Sequence, residues 1–130
     1  MKNDIRLSLE KLKNAIDKLK EGLNSAKNDL ERDGVIQRFE FTFELLWKSA
    51  KLILDDKGIK TTSPKEVFKA IYKCGFFGDE KGLLEILSDR NIMSHTYNKN
   101  LAEKIFLNIK EKHIILIEKL FNSLNEKQKD

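Results

Sequence analysis

Apolar residues recur along this chain at the three- and four-residue intervals of α-helices. Ile5, Leu9, Leu12, Ile16, Leu19 and Leu23 are spaced by four, three, four, three and four, which lines them along one side of a helix suited to nearly antiparallel neighbours. A first helix is therefore predicted from about residue 3 to about 24. A second runs from about Asp33 to Asp56, with Val35, Ile36, Phe39, Phe43, Leu46, Ala50, Ile53 and Leu54 inward and Gly58 placed to end it. Its aromatic content makes it the central helix. Ser63 as cap, Pro64 in the first helical position and Glu66 completing a capping box start a third helix, which stops near Gly75. After the connection from Gly75 to Gly82, Leu83, Leu84, Ile86, Leu87 and Met93 mark a fourth. Asn98 to Asn100 turn the chain, with Asn100 as cap and Glu103 three residues on. Leu101, Ile105, Ile109, Leu116, Leu120 and Leu124 then line a fifth helix, and the tail from Asn125 to Asp130 is expected to fray. The pattern predicts an all-α, up-and-down bundle of about five helices, with no strand alternation or internal repeat.

Composition sharpens this picture modestly. At 130 residues and 40% apolar content the chain has the size of one domain, 1–130, with a modest core. One Pro, six Gly and 35% charged residues favour helix over sheet. Cys74 is the single cysteine, so no internal disulfide forms, and Met1 to Asn14 alternate charges instead of forming an apolar signal core. With no apolar run near the ~18 residues of a membrane span, a cytoplasmic location without membrane contact is expected. The net charge of +4 is spread through interleaved runs such as Lys11, Lys13, Asp17, Lys18, Lys20 and Glu21, which read as solvated helix faces, so charge alone says nothing of RNA affinity. Two His and one Cys lie too far apart in sequence for a metal site, and no cofactor is expected. Cys74, beside apolar residues, reads as a small buried hydrophobe and His113 as a helix-surface residue. Trp47, Phe39, Phe41 and Phe43 read as core or dimer-interface packing, and the apolar stripes of the first two helices exceed what a small bundle easily covers.

One segment departs from generic helix. Asp89-Arg90-Asn91-Ile92-Met93-Ser94-His95-Thr96-Tyr97 gathers a cation that can hold a phosphate, an imidazole that can move a proton near neutral pH, and a phenol that can accept a group. This order resembles the motif of the HEPN superfamily, small all-helical proteins that include metal-independent RNases. Asp33-Gly34-Val35-Ile36-Gln37-Arg38-Phe39-Glu40-Phe41-Thr42-Phe43-Glu44-Leu45-Leu46-Trp47-Lys48 resembles one branch of it, the nucleotidyltransferase substrate-binding proteins. Ser63 to Val67, Gly75-Phe76 and Leu87 to Tyr97 follow in that branch's order, so the resemblance spans roughly residues 5 to 125. It implies a toxin encoded beside a minimal nucleotidyltransferase that acts as its antitoxin, a homodimer whose motifs face each other, and Tyr97 as the residue the partner adenylylates.

The residues themselves suit RNA cleavage. His95 can take the proton of a 2′-hydroxyl, Arg90 can stabilise charge building on the phosphoryl oxygens, and Asn91 can orient either by hydrogen bonds. Dependence on the 2′-hydroxyl would exclude DNA. Five residues on a continuous helix, however, leave Arg90 and His95 about 140° apart around the axis. Either the helix breaks before His95, through Ser94, Thr96 and the Asn residues beyond, or a second copy of the chain completes the site. Without the resemblance, Arg90 would pair with a carboxylate such as Glu85 or Asp89, His95 would be a helix-end residue and Tyr97 a half-buried aromatic. Two rivals remain: a non-catalytic nucleotidyltransferase subunit that holds a nucleotide or other phosphate-bearing substrate, and a structural dimerisation domain.

Overall fold

A computed structural model describes residues 2–95 and 97–128. Helices α1 (Lys2–Ser25), α2 (Asp29–Asp56), α3 (Pro64–Lys73) and α4 (Glu80–His95) are followed by α5 (Lys99–Asn108), a π-helical turn (Ile109–His113) and α6 (Ile114–Lys127). The last three keep right-handed helical backbone across both junctions and form one rod. Five rods result, and no strand occurs among the described residues. α2 packs against all the others and its inward residues, Val35 through Leu54, are buried as the spacing predicts.

The α1–α2 pair has a seven-residue register. Ser8 meets Ser49 through their hydroxyls, Thr42 Oγ1 donates to Ala15 O at 3.4 Å, and Gly22 lies against Val35, each step of seven along α1 matching a step back along α2. Small residues at this period let the two antiparallel backbones approach closely. A carbon added at Gly22 would stand 2.9 Å from Val35 Cγ2. The stripes Ile5 to Leu23 and Phe39 to Phe43 close on each other here, so most of the apolar excess read from the sequence is covered within the chain. Phe41, 62% exposed, is the aromatic residue of α2 left facing outward.

Helix ends are set by polar side chains and glycines. Gly58 (φ 82°) and Gly75 (φ 76°) carry the left-handed residue after α2 and α3, and the next N–H returns to Leu54 O and Ile71 O, closing both ends with Ile59 and Phe76 turned inward. Ser63 Oγ accepts from Glu66 N–H, and Glu66 accepts in turn from Thr62 N–H, one residue earlier than a standard box. Donation to the Glu66 carboxylate from the Thr62 hydroxyl first, then Thr62 N–H and the Ser63 hydroxyl, holds it below its ordinary range.

Several expectations shift. α2 starts at Asp29, not Asp33, because Asn28 Oδ1 accepts from Glu31 N–H while Glu31 Oε1 accepts from Lys27 N–H. Asn98, not Asn100, caps α5 through Leu101 N–H. α6 continues through Lys127, past the expected fraying point at Asn125, with Leu124 buried beneath it; Lys129 and Asp130 lie outside the described residues. The π-turn slips the buried stripe by one, so Ile117 is fully buried and Leu116 only partly. Cys74 is exposed at the C-cap of α3, where Gly75 reverses the chain before Phe76 turns inward. Among the described residues no helix is long and apolar enough to cross a membrane.

Candidate functional site

The charged segment occupies the second half of α4. Apolar burial holds the first half, through Leu83 and Ile86, whereas beyond them Leu87 and Met93 are only half-buried. Polar contacts take over there. Arg90 reaches α2, where its Nη2 donates to Glu44 Oε1 at 2.5 Å and its guanidinium lies 5.2 Å from the Phe43 ring centre. Glu44 is itself oriented by Trp47 Nε1, which donates at 3.2 Å, and by Lys48 Nζ at 3.6 Å. Arg90 Nη1 donates to Asn91 Oδ1 at 3.1 Å, so the two neighbours act as one unit. The carboxylate partner is therefore Glu44, from another helix, rather than Glu85 or Asp89.

α4 stays helical through His95, which is exposed at its C-terminal end. The break precedes neither Ser94 nor His95: Ser94 Oγ donates to Arg90 O at 3.0 Å within the helix. Thr96, the other residue expected to help break it, lies outside the described residues. Arg90 and His95 consequently keep the divergence of about 140° of a continuous helix, and one chain does not bring them together.

Tyr97 is 68% exposed, and its hydroxyl donates to Asp33 Oδ2 at 2.9 Å. That bond, foremost, with a minor contribution from burial and the charges of Asp33 and Asp29, raises the phenol above its ordinary value. Asp29 pairs with Lys99 at 3.1 Å and with Arg32 at 2.9 Å beside it. Asp33 and Glu44 are eleven residues apart on α2, so the anchors of Tyr97 and Arg90 lie roughly 16 Å apart along that helix.

Asp89, one residue before Arg90, turns to the C-terminal rod instead. His113 Nε2 lies 2.7 Å from Asp89 Oδ2, and Asn108 Nδ2 donates to the same oxygen at 3.1 Å. His113 is 2% exposed and stacks on Phe39 with ring centres 5.9 Å apart, which overturns its reading as a surface residue. Its lone position in sequence gave no hint of a partner 24 residues away. Burial pushes the Asp89 carboxyl up, but the hydrogen bonds of His113 and Asn108, with the charges of His113 and Lys104, outweigh it, leaving the carboxyl below its ordinary value. A lowered folded-state pKa gives stability that is present above the unfolded value, near 3.8, and lost as pH falls through the lower folded one. Asp89→Asn is expected to lower the denaturation midpoint at neutral pH and to flatten its decline on the acid side. An acid limb identical to that of the unsubstituted chain would contradict this.

Glu44, Asp33 and His113 are the site residues that sequence reasoning did not single out. Glu44 sits inside the aromatic run of α2 and Asp33 reads only as the start of that helix, so neither is marked in the sequence as a partner for a residue of α4 or beyond. Among the described residues no group of three or more His, Cys, Asp or Glu is arranged to hold a metal ion.

Comparison with known proteins adds three findings. The family described as "Nucleotidyltransferase substrate binding protein like" matches residues 7–126. The Haemophilus influenzae protein named "Probable ribonuclease HepT" is 32% identical over 93 residues, 68% of this chain. That alignment covers 62% of the Haemophilus protein, so the chain spans less than two thirds of that relative's length. A crystal structure of a protein from Thermus thermophilus matches the fold with a TM-score of 0.76 at 30% identity, over 92% of this chain and 99% of the other.

Proposed function

Because the chain belongs to the nucleotidyltransferase substrate binding protein like family, within the HEPN superfamily, we propose that it is a metal-independent RNase toxin of the HEPN type, neutralised by a cognate nucleotidyltransferase. The observation that carries this reading is Arg90, a guanidinium held in place by Glu44 and Phe43 with N–H donors to spare, five residues from an exposed imidazole. His95 takes the 2′-hydroxyl proton of RNA. The freed oxygen attacks the adjacent phosphorus to give a 2′,3′-cyclic phosphate. The bond to the 5′-oxygen breaks and that oxygen leaves as a hydroxyl on taking a proton from solvent, while Arg90 and Asn91 offset the charge on the phosphoryl oxygens. The divergence of Arg90 and His95 on α4 favours a homodimer in which each copy completes the other's site.

The test is direct. The purified chain is expected to cleave RNA, but not DNA of the same sequence, in EDTA, and to sediment as a dimer at low micromolar concentration. A strict need for a divalent cation, or a monomer that still cleaves, would count against this reading. Should RNA or a nucleotide bind in an Arg90-dependent way without cleavage, the second reading stands: a substrate-holding subunit of a nucleotidyltransferase pair. Glu44 favours it to this extent, that it already occupies part of the Arg90 fork and must share it with any phosphate.

Control is assigned to Tyr97, an exposed residue whose hydroxyl a partner enzyme would take over from Asp33. Incubation with a neighbouring nucleotidyltransferase, ATP and Mg²⁺ is expected to add adenylyl groups at Tyr97 and to silence cleavage. Tyr97→Phe should abolish the labelling and spare cleavage. Label on Tyr72, the other tyrosine, would sink the switch.

A further inference from the structure

The geometry points to His113 and Asn108 as positioning residues that, through Asp89, set where Arg90 is presented. This rests on the reading of Arg90 as the phosphate-binding cation of an RNase site.

Three observations lead here. First, the half of α4 that carries Arg90 lacks fully buried apolar anchors, so its rotation and axial position depend on polar contacts. Second, consecutive residues are tied to two different rods: Asp89 to the C-terminal rod through His113 and Asn108, Arg90 to α2 through Glu44. The two ties together fix the rotation of this half of α4, so losing the Asp89 anchor loosens the placement of the guanidinium. Third, the rod is specially shaped to make the anchor. Asn108 and His113 are five residues apart and would diverge by about 140° on an α-helix. The π-turn, in which Ile114 N–H returns to Ile109 O, winds the chain wider and brings both side chains onto one carboxylate oxygen.

Among the described residues His113 makes one side-chain hydrogen bond, to Asp89, beside its packing. It is buried against Phe39, and its polar contact is spent on Asp89. A His to Gln change keeps an N–H donor able to reach Asp89, whereas a His to Leu change keeps bulk without the donor.

The experiment follows the Arg90 Nε–H resonance by NMR, assigned with Arg90→Lys, alongside the RNA cleavage rate at saturating substrate. His113→Leu is expected to shift or broaden the Arg90 signal and to slow cleavage by about tenfold, the scale of a small misplacement of a charge-stabilising group. His113→Gln should restore both. Asn108→Ala, at a half-exposed position where folding is not at stake, should move both in the same direction as His113→Leu by a smaller amount. A folded His113→Leu or Asn108→Ala protein with the Arg90 signal and the rate unchanged would overturn the inference, as would His113→Gln being as impaired as His113→Leu. If the unsubstituted chain cleaves no RNA, it is the RNase reading that has failed, and the Arg90 signal alone decides the positioning role.

Discussion

His95→Ala and Arg90→Ala each reduce RNA cleavage by about a hundredfold or more, since a positioned base and a preorganised cation each supply on the order of 10²–10³ in rate. Neither change is expected to unfold the bundle. His95 is exposed at the end of α4, and removing Arg90 leaves Glu44 with Trp47 and Lys48, so the loss of a half-buried ion pair costs roughly 1 kcal/mol. Arg90→Lys should also fail to restore the rate, because an ammonium cannot keep the two-pronged contact with Glu44 and Asn91 that fixes the guanidinium plane. Mixing the two inactive variants gives the sharpest readout. If the site is shared between copies, mixed dimers contain one intact Arg90 and His95 combination and part of the activity returns. No recovery under conditions where subunits exchange would place both residues at the same chain's site.

Phe43→Ala carries the largest expected cost to stability. Phe43 is fully buried, meets Phe68 edge-on at 5.8 Å between ring centres, and floors the Arg90 guanidinium. Truncating such a ring costs about 3–5 kcal/mol, a large part of the roughly 5–15 kcal/mol that holds a domain of this size. Calorimetry should show the melting temperature falling by several degrees for each kcal/mol lost. Phe43→Leu, which keeps most of the volume, should lose far less stability while still removing the ring beneath Arg90. Phe41→Ala, two residues along the same helix but outward-facing, should leave the stability of an isolated chain within about 0.5 kcal/mol. A Phe43→Ala protein as stable as the parent would refute the packing described for α2.

The helices were legible because their cause is local and repeated. Ile5 to Leu23 and Val35 to Leu54 announce their buried faces several times over, and Ser63-Pro64 and Gly58 mark ends with one side chain or one φ angle each. Capping by Asn28 and Asn98 was missed for a different reason: several Asn and Asp residues compete near each start, and only the backbone decides which one meets a free N–H. The candidate site was legible as a segment, Arg90 to Tyr97, but not as a set of contacts. Glu44, Asp33 and His113 reach that segment from 46, 64 and 24 residues away, respectively for Arg90, Tyr97 and Asp89, and nothing in local spacing encodes such meetings. The π-turn was equally silent, since its residues, Ile109 to His113, would suit an ordinary helix.

That turn bears on how the chain can change length. A residue removed from an ordinary helix swings everything beyond it by about 100°, and in α2 this would turn Phe39 or Leu46 out of the core. The stretch Lys110-Glu111-Lys112, exposed and already wound one residue wide, can give one up and relax to regular α-helix with Ile105 and Ile117 still facing inward. Shortening by one residue should be tolerated there and in no other long helix of the bundle, and relatives that differ by a single gap in their last helix would be expected to place it at this point.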